Sequence, residues 1–263
     1  MFVIVANLVR QRRLVLALIR REFRARYVGS ALGAAWALIE PAVQFGLYLT
    51  VFSWFLGMKI EGRPGVGAFG FYLVTGLIPF LAFQEALTRA AGLARSQANL
   101  VRHVNAPLEV LAMGAFGAVM ARYAIGLGLA VGAAALLGAL VWAQLPWLLV
   151  GVLLLVAGSL GLTLLFVTAG AFLPDLTQVL TTGLSVLFFL TPVVYPESTV
   201  PRALAPWLAL NPLVGVLESF RAVITGRPPG LGRLAVAALS ALLALGVGGS
   251  IFGRRAWAIR DVV

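Results

Sequence analysis

The sequence predicts an all-α integral membrane fold: six transmembrane helices, an N-terminal amphipathic interfacial helix, and short re-entrant extracytoplasmic helices before the last span. Three observations lead there. Of 263 residues, 61% are hydrophobic and only 11% charged, against roughly 45–50% and about 25% in soluble domains. With a mean hydropathy of +1.01, a soluble globule would lack an adequate polar surface. Apolar stretches near the ~20 residues needed to cross a bilayer recur along the chain. The cations also fall unevenly between successive loops, as orientation in a membrane requires.

Residues 1–28 read as the interfacial helix and 29–263 as the transmembrane domain. The apolar run at the start precedes the charges, unlike a signal peptide. On a wheel of about 100° per residue, Arg10, Arg13, Arg20, Arg21 and Arg24 share one arc. Val5, Leu8, Leu16, Ile19 and Phe23 gather opposite, which suits a helix lying in the interface. Spans are expected near 32–57, 68–87, 147–172, 179–194 and 231–252. The stretch 107–142 is too long for one upright crossing, so its first turns are expected at the interface and its crossing near 120–142. Residues 59–67 form a polar loop, 88–106 a basic cytoplasmic segment, and 144–146 and 174–178 tight turns.

Residues 195–230 are semi-apolar, and seven of the 13 prolines fall between 192 and 229. Pro212 and Asn211 divide apolar pieces that are each too short to span. Short helices entering and leaving one face fit this pattern.

Six spans place both termini on one side. That side carries seven Arg in the first 28 residues, Arg89, Arg95 and Arg102, and Arg254, Arg255 and Arg260. The other carries Lys59, Arg63, Arg202, Arg221, Arg227 and Arg233. The excess puts both termini in the cytoplasm. It also accounts for the net charge of +11 without nucleic acid as a partner.

Several functions are excluded by residue type. There is no Cys and a single His, His103, so no thiolate or His-cluster metal site is available. The single Lys, Lys59, follows Gly57-Met58, so no Gly-x-x-x-x-Gly-Lys phosphate loop exists. Asp175, Glu197, Glu218 and Asp261 are scattered, with no nucleophile or base beside them. The chain is therefore expected to be neither an ATPase nor another enzyme, and to bind no cofactor itself.

Ionisable groups at membrane depth are functional candidates. Glu40 lies about 12–14 Å into the first span at 1.5 Å per residue, and Pro41 beside it should bend that helix. Arg122 is expected to snorkel if the third crossing begins near Met120 and to be buried if it begins near Pro107; snorkelling is favoured. Glu40 and Glu85 are its possible partners. Phe45, Tyr48 and Phe52 recur at helical spacing, and Phe188 and Phe189 lie on the fifth span. Such rings serve either helix packing or an aromatic lining for a sugar polymer. Gly29-x-x-x-Gly33, Gly128-x-x-x-Gly132 and 246–250 permit close helix approach.

The chain resembles the permease subunits of type-2 ABC exporters for O-antigen, teichoic acid and capsular polysaccharide (the Wzm type). The run from Arg20 to Pro41 resembles that family's approach to its first span, with Glu40 where the family usually has Gln. Asn99 to Pro107 resembles the segment after the second span, and Pro174-Asp-Leu-Thr-Gln178 the following turn, with Pro replacing Arg. The most specific matches are Leu190-Thr-Pro-Val-Val-Tyr-Pro196 and Leu210-Asn-Pro-Leu-Val-Gly-Val-Leu-Glu-Ser-Phe-Arg221.

The resemblance implies a homodimer in the inner membrane with two separate ATPase subunits, which bind the ATP and Mg. It implies that Arg89, Arg95, Asn99, Arg102 and His103 contact the ATPase. The short helices bearing Tyr195, Trp207, Glu218 and Arg221 would shape the exit. By charge, Arg20, Arg21, Arg24 and Arg26 form a candidate collar for the anionic head of a lipid-linked glycan; anionic membrane lipid is the alternative ligand. Glu40, Phe45, Tyr48, Phe52, Phe188 and Phe189 are the channel-lining candidates. A small-molecule permease of the same type, a membrane glycosyl- or acyltransferase, and an ATP-independent channel remain as rivals.

Overall fold

The computed structural model describes residues 7, 9–55, 57, 68–97, 107–201, 203 and 205–255. Among them helices are joined by short turns, with no strand. The helices are α1 (Arg12–Ala25), α2 (Trp36–Tyr48, continued by a π-helical turn at Leu49–Phe55), α3 (Ala68–Ser96), α4 (Leu108–Leu136), α5 (Leu145–Phe172), α6 (Leu176–Leu190), α7 (Ala205–Leu210), α8 (Pro212–Thr225) and α9 (Leu231–Arg255).

Among the described residues, four segments are long and apolar enough to cross a membrane: α3, α4, α5 with the short turn preceding it, and α9. The α3 stretch is 78% buried inside the chain, against 22–33% for the other three. It is the central helix, packed by α4, α5, α6 and α8. The others bury one side on α3 or on each other and leave apolar side chains such as Leu149, Leu153, Leu239 and Leu242 facing outward. In water those faces would be unstable; in lipid they lose nothing.

Two expected spans are shorter than anticipated. The first begins only at Trp36, because Gly29 and Gly33 take left-handed φ values of 83° and 50° and a 3-10 turn follows. Its apolar helix runs to Phe52. The fifth, α6, is 15 residues long and lies between Pro174-Asp175 and Thr191-Pro192. Other boundaries lengthen. Helix α3 runs past Leu87 through Thr88–Ser96, so much of the expected basic connection is its last turns. Helix α4 is continuous from Leu108, so the interfacial turns and the crossing are one rod.

Local chemistry sets the ends. Pro107 precedes α4 and Pro146 sits in the first turn of α5, where a missing N–H costs nothing. Helix α8 starts where the Asn211 side chain accepts the Leu213 N–H at 3.0 Å. It stops at Gly226, with φ of 74°.

Helix α1 has polar and apolar faces, as the wheel predicts, but it lies on protein. Leu18 and Ile19 sit over Gly114 and Gly117 of α4, where a Cβ would collide with either side chain. Leu16 remains exposed. The small-residue pattern at 29–33 is a turn rather than a helix face. Gly128 and Gly132 meet nothing within 4 Å. The close crossing uses the third pattern, 246–250: a Cβ on Gly248 of α9 would strike Gly161 of α5, and one on Gly161 would strike the Ala244 and Leu245 backbone.

Candidate functional site

Three places bring the charged and aromatic candidates together: the α1 end, the α2–α3–α4 junction, and the turn around α8.

At the α1 end, Glu22 accepts from Arg21 at 3.0 Å, Arg89 at 3.4 Å and Gln97 at 3.1 Å. Arg89 is thus tied to the interfacial helix, and Arg95 donates to the Ala171 carbonyl at 3.4 Å, closing the end of α5. Both expected ATPase-contact residues bind their own chain. Asn99, Arg102 and His103 lie outside the described residues. Of the collar candidates, Arg20 and Arg24 are exposed, while Arg21 and Arg26 are engaged in ion pairs.

Arg26 carries the network inward, reaching Glu40 at 3.3 Å and Glu85 at 3.6 Å. Glu85 also accepts from Arg122 and from the Tyr123 hydroxyl. The Arg122 side chain is only 11% exposed. The favoured snorkelling of Arg122 is therefore corrected: continuous α4 sets it four turns inside its start, where its side chain is largely covered and paired with Glu85. Glu40 pairs with Arg26 rather than Arg122 and remains about half exposed. An elongated cavity of about 260 Å³ runs from this cluster along Pro41, Phe45, Leu77, Ile78 and Gly126.

The aromatic face of α2 packs on α3. The Phe45 ring lies 5.2 Å from Phe71 and Phe52 lies 6.0 Å from Phe69, with Tyr48 at 6.3 Å from Phe52. Phe188 packs edge-on to Phe80 at 5.2 Å, while Phe189 is exposed.

The third place is built on α8. Arg221 is 6% exposed. It donates to the carbonyls of Pro192 at 2.7 Å, Val193 at 2.6 Å and Tyr72 at 3.4 Å. Its guanidinium lies 3.8 Å from the Tyr72 ring centroid. The planar fork thus joins α8, the 192–193 turn and α3 in one clamp. Gly76 makes room, since a Cβ there would strike the guanidinium. Nearby, Arg233 bonds both Glu197 and Glu218, and Gly230 N–H donates to Glu218 at 3.1 Å. Tyr195 Oη donates to the Phe189 carbonyl at 2.7 Å, and burial raises its phenol further above its usual range, so it stays a donor. Trp207 is exposed.

Sequence reasoning named Arg221, Glu218 and Tyr195 but missed Tyr72, Gly76, Glu197 and Arg233. The opposite charges of Glu197 and Arg233, flanking the semi-apolar region, were the available signal.

The sequence matches the ABC-2 type transporter family over residues 13–225. The chain belongs to that family. Its membership makes the chain an integral membrane transporter component, in keeping with its apolar helices, and the Glu85 ion-pair cluster, the Arg221 clamp and all but the first residue of α1 lie within the matched region. Among curated relatives, the O-antigen export system permease protein RfbA of Myxococcus xanthus is 29% identical over 261 residues, 96% of each chain. The polysialic acid transport protein KpsM of Escherichia coli is 27% identical over 221 residues, 79% of this chain and 80% of its own. An O-antigen export permease RfbA of Klebsiella pneumoniae is 20% identical over 254 residues, 95% of each chain.

Proposed function

We propose that this chain is the membrane subunit of an ABC exporter that moves a lipid-linked, O-antigen-like polysaccharide across the cytoplasmic membrane. End-to-end similarity to a permease named for O-antigen export carries this reading. Similarity to a polysialic acid transport protein favours a capsular glycan as the second reading. In this reading α2 and α6 join the four long helices to make six spans, both termini are cytoplasmic, and α7 and α8 re-enter from the opposite face. Two copies pair around the translocation path, and two separate ATPase subunits bind ATP and Mg.

The fold supports a mechanism. Helix α3 is 29 residues long, about 43 Å at 1.5 Å per residue. Arg89 and Arg95 sit near one end, Tyr72 and Gly76 near the other. Closure of the ATPase pair against residues 89–105 and the amino-terminal helix would displace α3 as a rod. The Arg221 clamp would pass that displacement to the 192–193 turn and α8 at the exit. The α1 cations would hold the anionic head group before transfer.

The test is ATP-dependent transport by a reconstituted complex of this chain with its ATPase. Lipid-linked glycan should cross only with ATP, and Arg102→Glu should abolish crossing. A well-folded chain that associates with no ATPase would overturn the reading.

A further inference from the structure

A cavity of about 560 Å³ opens beneath the 192–199 turn, against α8 and the Tyr72 end of α3. We propose that it is a subsite for one acidic sugar unit of the exported glycan, with the sugar's carboxylate or phosphate held by Arg227. The proposal rests on the glycan-export reading and adds a charge class to the substrate.

The size suits a ring with substituents; ligand pockets commonly span about 300–1,000 Å³. Its apolar wall is made by Val214 and Leu217 of α8 with Pro192 and Pro196. Such a wall accepts the C–H face of a sugar. Its polar wall is held in place from behind. Glu197 and Glu218 are fixed by Arg233, and Glu218 also by the Gly230 N–H. A carboxylate so fixed retains lone pairs for a sugar hydroxyl. Thr199 and Thr225 donate their hydroxyl protons to the Pro196 and Arg221 carbonyls, at 2.7 and 3.0 Å, and so present acceptors to the cavity. The pocket is therefore organised before a ligand arrives, which lowers the ordering cost of binding.

The charge balance selects the ligand. Three guanidiniums, from Arg221, Arg227 and Arg233, stand around two carboxylates, Glu197 and Glu218. Arg233 is committed to both carboxylates and Arg221 to three carbonyls. Arg227 is exposed and lines the cavity. Its backbone N–H reaches Thr225 Oγ1 at 3.4 Å, and among the described residues nothing bonds its guanidinium. That leaves one guanidinium fork free, within a group of net charge +1, shaped for a carboxylate or phosphate beside hydroxyl and carboxylate acceptors. A neutral sugar would leave that fork to water, and a bare anion would leave the acceptors and apolar wall unused.

The test uses the full chain in nanodiscs with its ATPase. A glucuronic acid tetramer, a glucose tetramer and inorganic phosphate are compared by saturation-transfer NMR and by competition. The acidic tetramer should bind about tenfold more tightly than the neutral one, a 1.4 kcal/mol difference. Arg227→Gln should erase the preference and Arg227→Lys should retain part of it. Equal binding of both tetramers, or a preference that survives Arg227→Gln, overturns the proposal. Phosphate binding as tightly as the acidic tetramer overturns the sugar half. A deletion strain separates the two ideas. Loss of surface glycan with no tetramer binding sinks the subsite alone; intact surface glycan sinks the export reading.

Discussion

Arg221 is a buried cation whose three hydrogen bonds all go to carbonyls rather than to a carboxylate. Each such bond contributes about 1.5–3 kcal/mol when made, and losing the side chain strands the Pro192 and Val193 carbonyls. Arg221→Met should therefore lower stability by about 3 kcal/mol or more, read as the thermal midpoint in detergent. Gly76→Ala should do nearly the same, because the new methyl group occupies guanidinium space. The two should combine to less than their sum; a normal midpoint in Gly76→Ala would refute the clamp. Glu85 makes the parallel case. Glu85→Gln gives the largely covered Arg122 a neutral acceptor in place of its carboxylate and should cost about 1–3 kcal/mol, largely recovered by adding Arg122→Met. Arg26→Gln, which breaks a half-exposed pair, should cost at most about 1 kcal/mol.

At the level of elements, the fold depends on where backbones touch. Helices α5 and α9 cross at Gly161 and Gly248 without room for a methyl group. Lipid supplies no hydrophobic drive for helix association, so close packing must supply it. Gly161→Val should sharply reduce the yield of monodisperse protein on size-exclusion chromatography. Gly128→Ala with Gly132→Ala should not destabilise and should add about 0.5–1 kcal/mol per site through helix propensity, since open space lies beside both. Sequence spacing pointed both to Gly128 with Gly132 and to 246–250, and only the latter, through Gly248, meets another backbone. Glycine patterns reveal which faces permit approach, whereas the facing helix decides which are used.

For the whole molecule, α3 is the most enclosed of the long apolar helices, packed by α2, α4, α5, α6 and α8. It carries the ion-pair cluster at Glu85 and the clamp at Tyr72 and Gly76, on one continuous helix. If it acts as a rod, a weakened clamp should uncouple the two ends. In the reconstituted complex, Arg221→Met should still bind the ATPase and hydrolyse ATP, while transport per ATP falls about tenfold, an effect of roughly 1.4 kcal/mol. Unchanged transport per ATP would place the moving connection elsewhere in the bundle.

Membrane class, the main apolar helices, the amphipathic start and the break before α8 were legible in the sequence. Each depends on local information: hydropathy over ~20 residues, helical periodicity, or a capping residue such as Asn211 before Pro212. The resemblance at 190–196 and 210–221 pointed to the family for the same reason, since those motifs are contiguous. What only tertiary structure decided were pairings between distant positions. Arg122 chose Glu85 over Glu40, Phe45 and Phe52 turned to α3, and Arg221 found carbonyls from two other segments. Hydropathy is a property of a segment, but which charge or ring meets which is set by helix rotation and crossing. Those are fixed only when all the helices pack together.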